Sequence, residues 1–71
     1  MKYKPGTLLR YESNTNIVYI EYIIILSYFT KNKEEYVTYY TVSNYGLISI
    51  ENNLSFSFSG QSSNFKVLHE I

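Results

Sequence analysis

Ile17-Val18-Tyr19-Ile20-Glu21-Tyr22-Ile23-Ile24-Ile25-Leu26-Ser27-Tyr28-Phe29-Thr30 is the stretch on which the fold turns. Val18, Ile20, Tyr22, Ile24, Leu26 and Tyr28 recur at a period of two, the period of a strand face. That spacing predicts a long strand with these six residues facing a core. The other face holds Ile17, Tyr19, Glu21, Ile23, Ile25, Ser27 and Phe29. It is wetter at Glu21 and Ser27 but apolar at Ile23 and Ile25. A helix is the competitor, and the β-branched run and the lack of a cap argue against it. At about 3.3 Å per residue the strand would reach roughly 45 Å, well beyond the usual length. It must bend across two sheets or be covered on both faces.

Outward from this stretch the punctuation is regular. Lys4-Pro5-Gly6 reads as a turn and Thr7 to Glu12 as a first strand. Residues Ser13-Asn14-Thr15-Asn16 form a polar loop. On the other side, Lys31-Asn32-Lys33-Glu34 is a charged hairpin loop leading to a third strand, Glu35 to Ser43, whose faces are too alike for the inside to be assigned. Asn44-Tyr45-Gly46 is a turn with Gly46 suited to positive φ. Leu47 to Glu51 alternates with Ile48 and Ile50 inward, and Asn52-Asn53 reads as a reversal. Leu54-Ser55-Phe56-Ser57-Phe58-Ser59 alternates most cleanly, predicting a strand with Leu54, Phe56 and Phe58 inside. After a loop over Gly60 to Asn64, Phe65 to His69 closes the chain, with Phe65 and Val67 inward. Six strands with short connections and no helix predict an all-β barrel or sandwich, one domain over residues 1–71.

The composition agrees. Nine residues are Tyr and eight Ile, with no Ala, Asp, Trp or Cys. Helix material is scarce and strand material abundant, and disulfides are excluded. Asn, Ile, Lys, Phe and Tyr fill 33 of 71 positions. Their codons begin with two A/T letters, an association that fits a phage, a mobile element or a low-G/C bacterium. Six Lys/Arg balance six Glu, so the chain as a whole is no polyelectrolyte ligand for nucleic acid or membrane. No apolar region follows Lys2 and Lys4 as a signal would require, and the 13-residue apolar stretch Ile17–Phe29 is short of the roughly 20 needed for a spanning helix. The expectation is a soluble cytoplasmic protein, without a membrane role.

The opening Lys4-Pro5-Gly6-Thr7-Leu8-Leu9, the long second strand, two hairpins and the closing Phe65-Lys66-Val67-Leu68 resemble the small SH3-like barrels of phage and bacterial type. The resemblance lies in spacing. It implies a five- or six-stranded antiparallel barrel, and it leaves function open among RNA, peptide and methyl-lysine binding.

Chemistry-bearing residues are few. His69, at the end of the last strand, has no acid or base partner in the pattern, and the Glu residues at 12, 21, 34, 35, 51 and 70 are scattered. No metal spacing and no phosphate loop occur. The expectation is a protein without enzymatic activity, cofactor or metal. The anomaly is Tyr, which supplies rigid amphipathic contact area. Tyr36, Tyr39, Tyr40 and Tyr45 are the candidate binding residues, and Ile23 and Ile25 the candidate self-association residues of a homodimer. The first reading is a protein-binding module, such as a phage-encoded modulator of a host factor. The alternative is a single-stranded nucleic-acid-binding barrel that gathers Lys2, Lys4, Arg10 and Lys66 if the first and last strands pair. A structural or assembly component of a virion is a third.

Overall fold

The computed structural model describes residues 3–13, 17–58 and 65–71. Among these residues there are five strands: β1 (Leu8–Glu12), β2 (Ile20–Lys31), β3 (Glu34–Ser43), β4 (Ile48–Leu54) and β5 (Phe65–His69), with a 3-10 turn over Ser55–Phe58. They form one antiparallel sheet in the order β4-β3-β2-β1-β5. Lys2 and residues 14–16 and 59–64, where loops are expected, lie outside the described residues.

The β2–β3 hairpin is the spine. Its turn is tighter than the charged loop expected at 31–34, because Asn32 and Lys33 alone make it, at φ 52° and 66°. Two successive residues in the left-handed region match the right-handed twist of the flanking strands. The next turn spans Asn44-Tyr45-Gly46. The Ser43 N–H donates to the Leu47 carbonyl at 2.8 Å, the Gly46 N–H donates to the Ser43 carbonyl at 3.1 Å, and Gly46 takes φ 80° as its position predicts. Asn44 ties this turn to the start of β2. Its N–H donates to the Ile20 carbonyl at 2.8 Å, its Oδ1 accepts from the Ile20 N–H at 3.1 Å, and its Nδ2 donates to the Val18 carbonyl at 3.2 Å.

The core lies on the face opposite to the one predicted. Leu9, Ile23, Ile25, Val37, Tyr39 and Phe58 are buried together, with Tyr3, Tyr11, Tyr28 and Phe65 packed around them. Tyr22, Ile24 and Leu26 are exposed, as are Val18, Ile48, Ile50, Phe56 and Val67, while Ile20, Leu54 and Phe65 are half-buried. Of the predicted core, only Phe58 is fully buried. The predicted residues of β2 do not share a face, because of a bulge. Ile25 pairs with Tyr39 and Ser27 with Thr38, so Leu26 is an extra residue in β2. An extra residue reverses which parity faces inward. Ile23 and Ile25 therefore face in before the bulge and Tyr28 after it, although all six alternating residues had read as one face.

Two further readings are corrected. Asn52-Asn53 is no reversal: these residues continue β4, paired with Thr38 and Val37. The alternation expected to form a strand over Leu54–Ser59 does not: Leu54 ends β4, Ser55–Phe58 coils into the 3-10 turn, and Ser59 lies outside the described residues. Phe58 then packs on Tyr39, with ring centroids 4.7 Å apart, and on Phe65 at 5.3 Å. The turn thus lays an aromatic across the inner face between β3 and β5. The sheet is open, with β4 and β5 as its edges among the described residues.

Candidate binding surface

The register defines the outer face row by row, because directly paired residues in an antiparallel sheet share a face. One row runs Ile50, Tyr40, Ile24, Leu8 across four strands. The next runs Ile48, Val42, Tyr22, Arg10, Lys66 across all five. Leu26 sits beside them at the bulge, and a further row sets Leu54 by Tyr36 and Phe29. Ile48 and Ile50 are 62% and 66% exposed, and Tyr22, Ile24, Leu26 and Phe29 are exposed as well. The middle of this face carries no charge. Arg10 and Lys66 bound it at the β5 side, and Lys31 and Glu34 stand at the hairpin end.

The four candidate tyrosines do not form one surface. Tyr36 and Tyr40 lie on the outer face, Tyr36 stacked on Phe29 at 5.4 Å. Tyr39 points the other way and is only 5% exposed. Its hydroxyl donates to Glu51 Oε2 at 3.1 Å. Burial first, and the Glu51 carboxylate after it, push its pKa up to about 12 against the pull of a hydrogen bond with Asn53. Tyr45 is exposed in the β3–β4 turn, stacked on Tyr19 at 6.2 Å, and its hydroxyl donates to the Val18 carbonyl at 3.1 Å. Tyr45 thus braces the chain ahead of β2. Tyr19 in turn donates to Glu21 Oε2 at 2.6 Å, which raises its pKa.

Ile23 and Ile25, expected to offer a self-contact, are the centre of the core at 2% and 0% exposure. The apolar residues that the sheet presents outward are their neighbours Tyr22, Ile24 and Leu26. The signal that could have found them is the same apolar run, read with a bulge in it.

The cationic candidates converge in part. β1 pairs with β5, so Arg10 faces Lys66 directly, and Tyr22 stands on the other side of Arg10. The Arg10 guanidinium is held by Glu12 at 2.9 Å. Lys4 is exposed in the turn before β1, and Lys2 lies outside the described residues. His69 is exposed and pairs in register with Leu8. Among the described residues no three metal-ligating side chains gather, and no helix is long and apolar enough to cross a membrane.

Comparison with protein-family models, with curated proteins and with solved structures finds no match for this chain.

Proposed function

We propose that this chain is a non-catalytic protein-binding module that receives its partner on the outer face of the sheet. The observation that carries this reading is the uncharged apolar field formed by Tyr22, Ile24, Leu26, Tyr40, Ile48 and Ile50, bounded by charge at its ends. An apolar centre with a polar rim, rich in Tyr, is the anatomy of a protein interface. In the same reading the sheet is an SH3-like barrel left open between β4 and β5. The β4-β3-β2-β1-β5 order, with the 3-10 turn laying Phe58 from β3 to β5, supports that curl. That the partner is a host factor of a phage rests on composition alone.

Nucleic-acid binding has one observation in its favour, the Lys66–Arg10–Tyr22 row. The Arg10–Glu12 ion pair weighs against it. Affinity capture from lysate, run in parallel with Tyr22→Ser/Ile24→Ser and with Arg10→Gln/Lys66→Gln, separates the two. The protein-binding reading expects a captured protein that the first pair loses, that the second retains, and that persists at high salt. Capture of nucleic acid that weakens steeply with salt and is lost with Arg10 and Lys66 would replace it.

A further inference from the structure

The two edges of the sheet are built differently. β5 is five residues long and carries Lys66, and its register with β1 slips so that Leu68 is extra. Short length, Lys and bulges are devices that stop an edge from pairing. β4 lacks these three, and its one charge, Glu51, lies on the inner face and is engaged by the Tyr39 hydroxyl. It is seven residues long, its register with β3 is continuous from Ile48 to Leu54, and it contains no Lys, Arg or Pro. Among the described residues no strand lies against its outer side.

The preceding turn fixes which backbone groups that edge presents. The Ser43 N–H donates to the Leu47 carbonyl, so this pair is a bonded one. Bonded and non-bonded pairs alternate along an antiparallel ladder. Ser49, Glu51 and Asn53 therefore bond to β3, and Ile48, Ile50 and Asn52 direct their N–H and C=O groups to the open side, whereas the Leu54 N–H is already donated to Asn53 Oδ1 at 2.8 Å.

We propose that β4 pairs antiparallel with β4 of a second copy, about a twofold axis at Ile50. Self-complementarity selects this occupant and this register. A twofold axis normal to the sheet pairs outward-directed residues only with one another. Centred on Glu51 it would set that carboxylate against its own mate in a close non-bonded pair, where like charges repel. Centred on Asn52 it would leave Ile48 outside the ladder and call on the Leu54 N–H, which Asn53 Oδ1 already holds, and centred on Ser49 it would pair only Ile48–Ile50 of β4. Centred on Ile50 it pairs Ile48 with Asn52 of the mate and places Glu51 opposite Ser49, whose hydroxyl is a donor. Ile50 then meets its own mate on the outer face, joining the two apolar fields into one sheet-wide surface. The contact is mainly main-chain and small, so the dimer is a weak one in rapid exchange with monomer. It rests on the edge and not on the outer-face reading of function.

Sedimentation of the purified protein over a concentration series, from low micromolar to near-millimolar, tests it. The expected result is a monomer–dimer equilibrium. Ile50→Pro deletes an outward N–H that β3 does not use, so it should leave a folded monomer. Ser49→Lys faces Glu51 across the axis twice and should tighten the dimer several-fold. Ser49→Glu should loosen it by a similar factor, a readout that remains should Ile50→Pro fail to fold. Tyr22→Ser/Ile24→Ser, the change that tests partner binding, should leave self-association unaltered. The proposal is overturned by a wild-type monomer at every concentration, or by a dimer indifferent to both Ser49 changes. Loss of the dimer only on outer-face substitution would put a face-to-face contact in its place. Species larger than a dimer would make β5 the mate of β4, and would overturn it equally.

Discussion

Thr41 shows what single atoms cost in so small a core. It sits on the inner face of β3 between Ile23 and Ser49 in register, and it is buried. Its Oγ1, like that of Thr7, meets no hydrogen-bond partner among the described residues. A buried hydroxyl without a partner has lost its water and gained nothing for it. Thr41→Val keeps the shape and removes the hydroxyl, so it should raise stability by about 1 kcal/mol, read as a higher urea midpoint with an unchanged slope. The two phenylalanines of the 3-10 turn make the opposite pair. Phe58 is 3% exposed and touches rings on β3 and β5, whereas Phe56 is 67% exposed. Phe58→Ala should cost about 3–5 kcal/mol, enough to unfold a domain with this little core. Phe56→Ala should stay within about 1 kcal/mol of the parent. Thermal melts of the two variants check the assignment, and a larger loss for Phe56→Ala than for Phe58→Ala would mean that the turn is packed the other way round.

At the scale of elements, hairpin chemistry was legible and facing was not. Gly46 announces its turn because a residue with φ 80° is most cheaply a glycine. The β2–β3 hairpin is legible because long β-branched runs flank a polar break. Its two turn residues both adopt positive φ, and Lys33 does so at a cost that Gly would not bear. Lys33→Gly converts the turn to the favoured Asn-Gly pair and should stabilise the protein by about 0.5–1 kcal/mol, measured as a rise in melting temperature. The facing of β2 was not legible, since Ile23-Ile24-Ile25-Leu26 is apolar on both sides and a bulge at Leu26 leaves no mark in composition. The serine–phenylalanine alternation after Leu54 misled for a related reason. A period of two over so few residues fits a strand, but a 3-10 turn can bury Phe58 and expose Phe56 just as well. Asn52 and Asn53 read as a turn by residue type, yet cross-strand pairing won: Thr38 Oγ1 donates to Asn52 Oδ1 at 2.7 Å. For the binding surface, Tyr40 and the Arg10–Lys66 approach could be anticipated. That Tyr39 and Tyr40 take opposite faces follows from their adjacency in a strand, but which of the two turns inward followed only once the inner face of β3 was known.

For the molecule as a whole, tyrosines serve both faces, and those turned inward link folding to alkaline pH. The Tyr39 phenol ordinarily ionises near pH 10 and in the fold is pushed up to about 12, by burial before all else. Tyr28 is raised as well, chiefly by burial, and Tyr19 chiefly by its hydrogen bond to Glu21. A raised value means that the folded chain keeps a proton which the unfolded chain has already released. Below pH 10 both states hold it, and the contribution of these groups to stability is present in full. Between about pH 10 and 12 the unfolded state binds fewer protons, so stability falls as pH rises, and for Tyr39 the loss is complete above its folded value. Urea midpoints should therefore fall steeply over that range. Tyr39→Phe removes the proton in question. At neutral pH it should be less stable by about 0.5–1.5 kcal/mol for the lost bond to Glu51. Above pH 10 its midpoint should decline more shallowly than that of the parent, so that the two curves converge. Lysine deprotonation acts on both proteins alike and drops out of the difference. Parallel curves through pH 12 would show that the Tyr39 hydroxyl meets water as freely in the fold as outside it, and that the inner face is not closed over by Phe58.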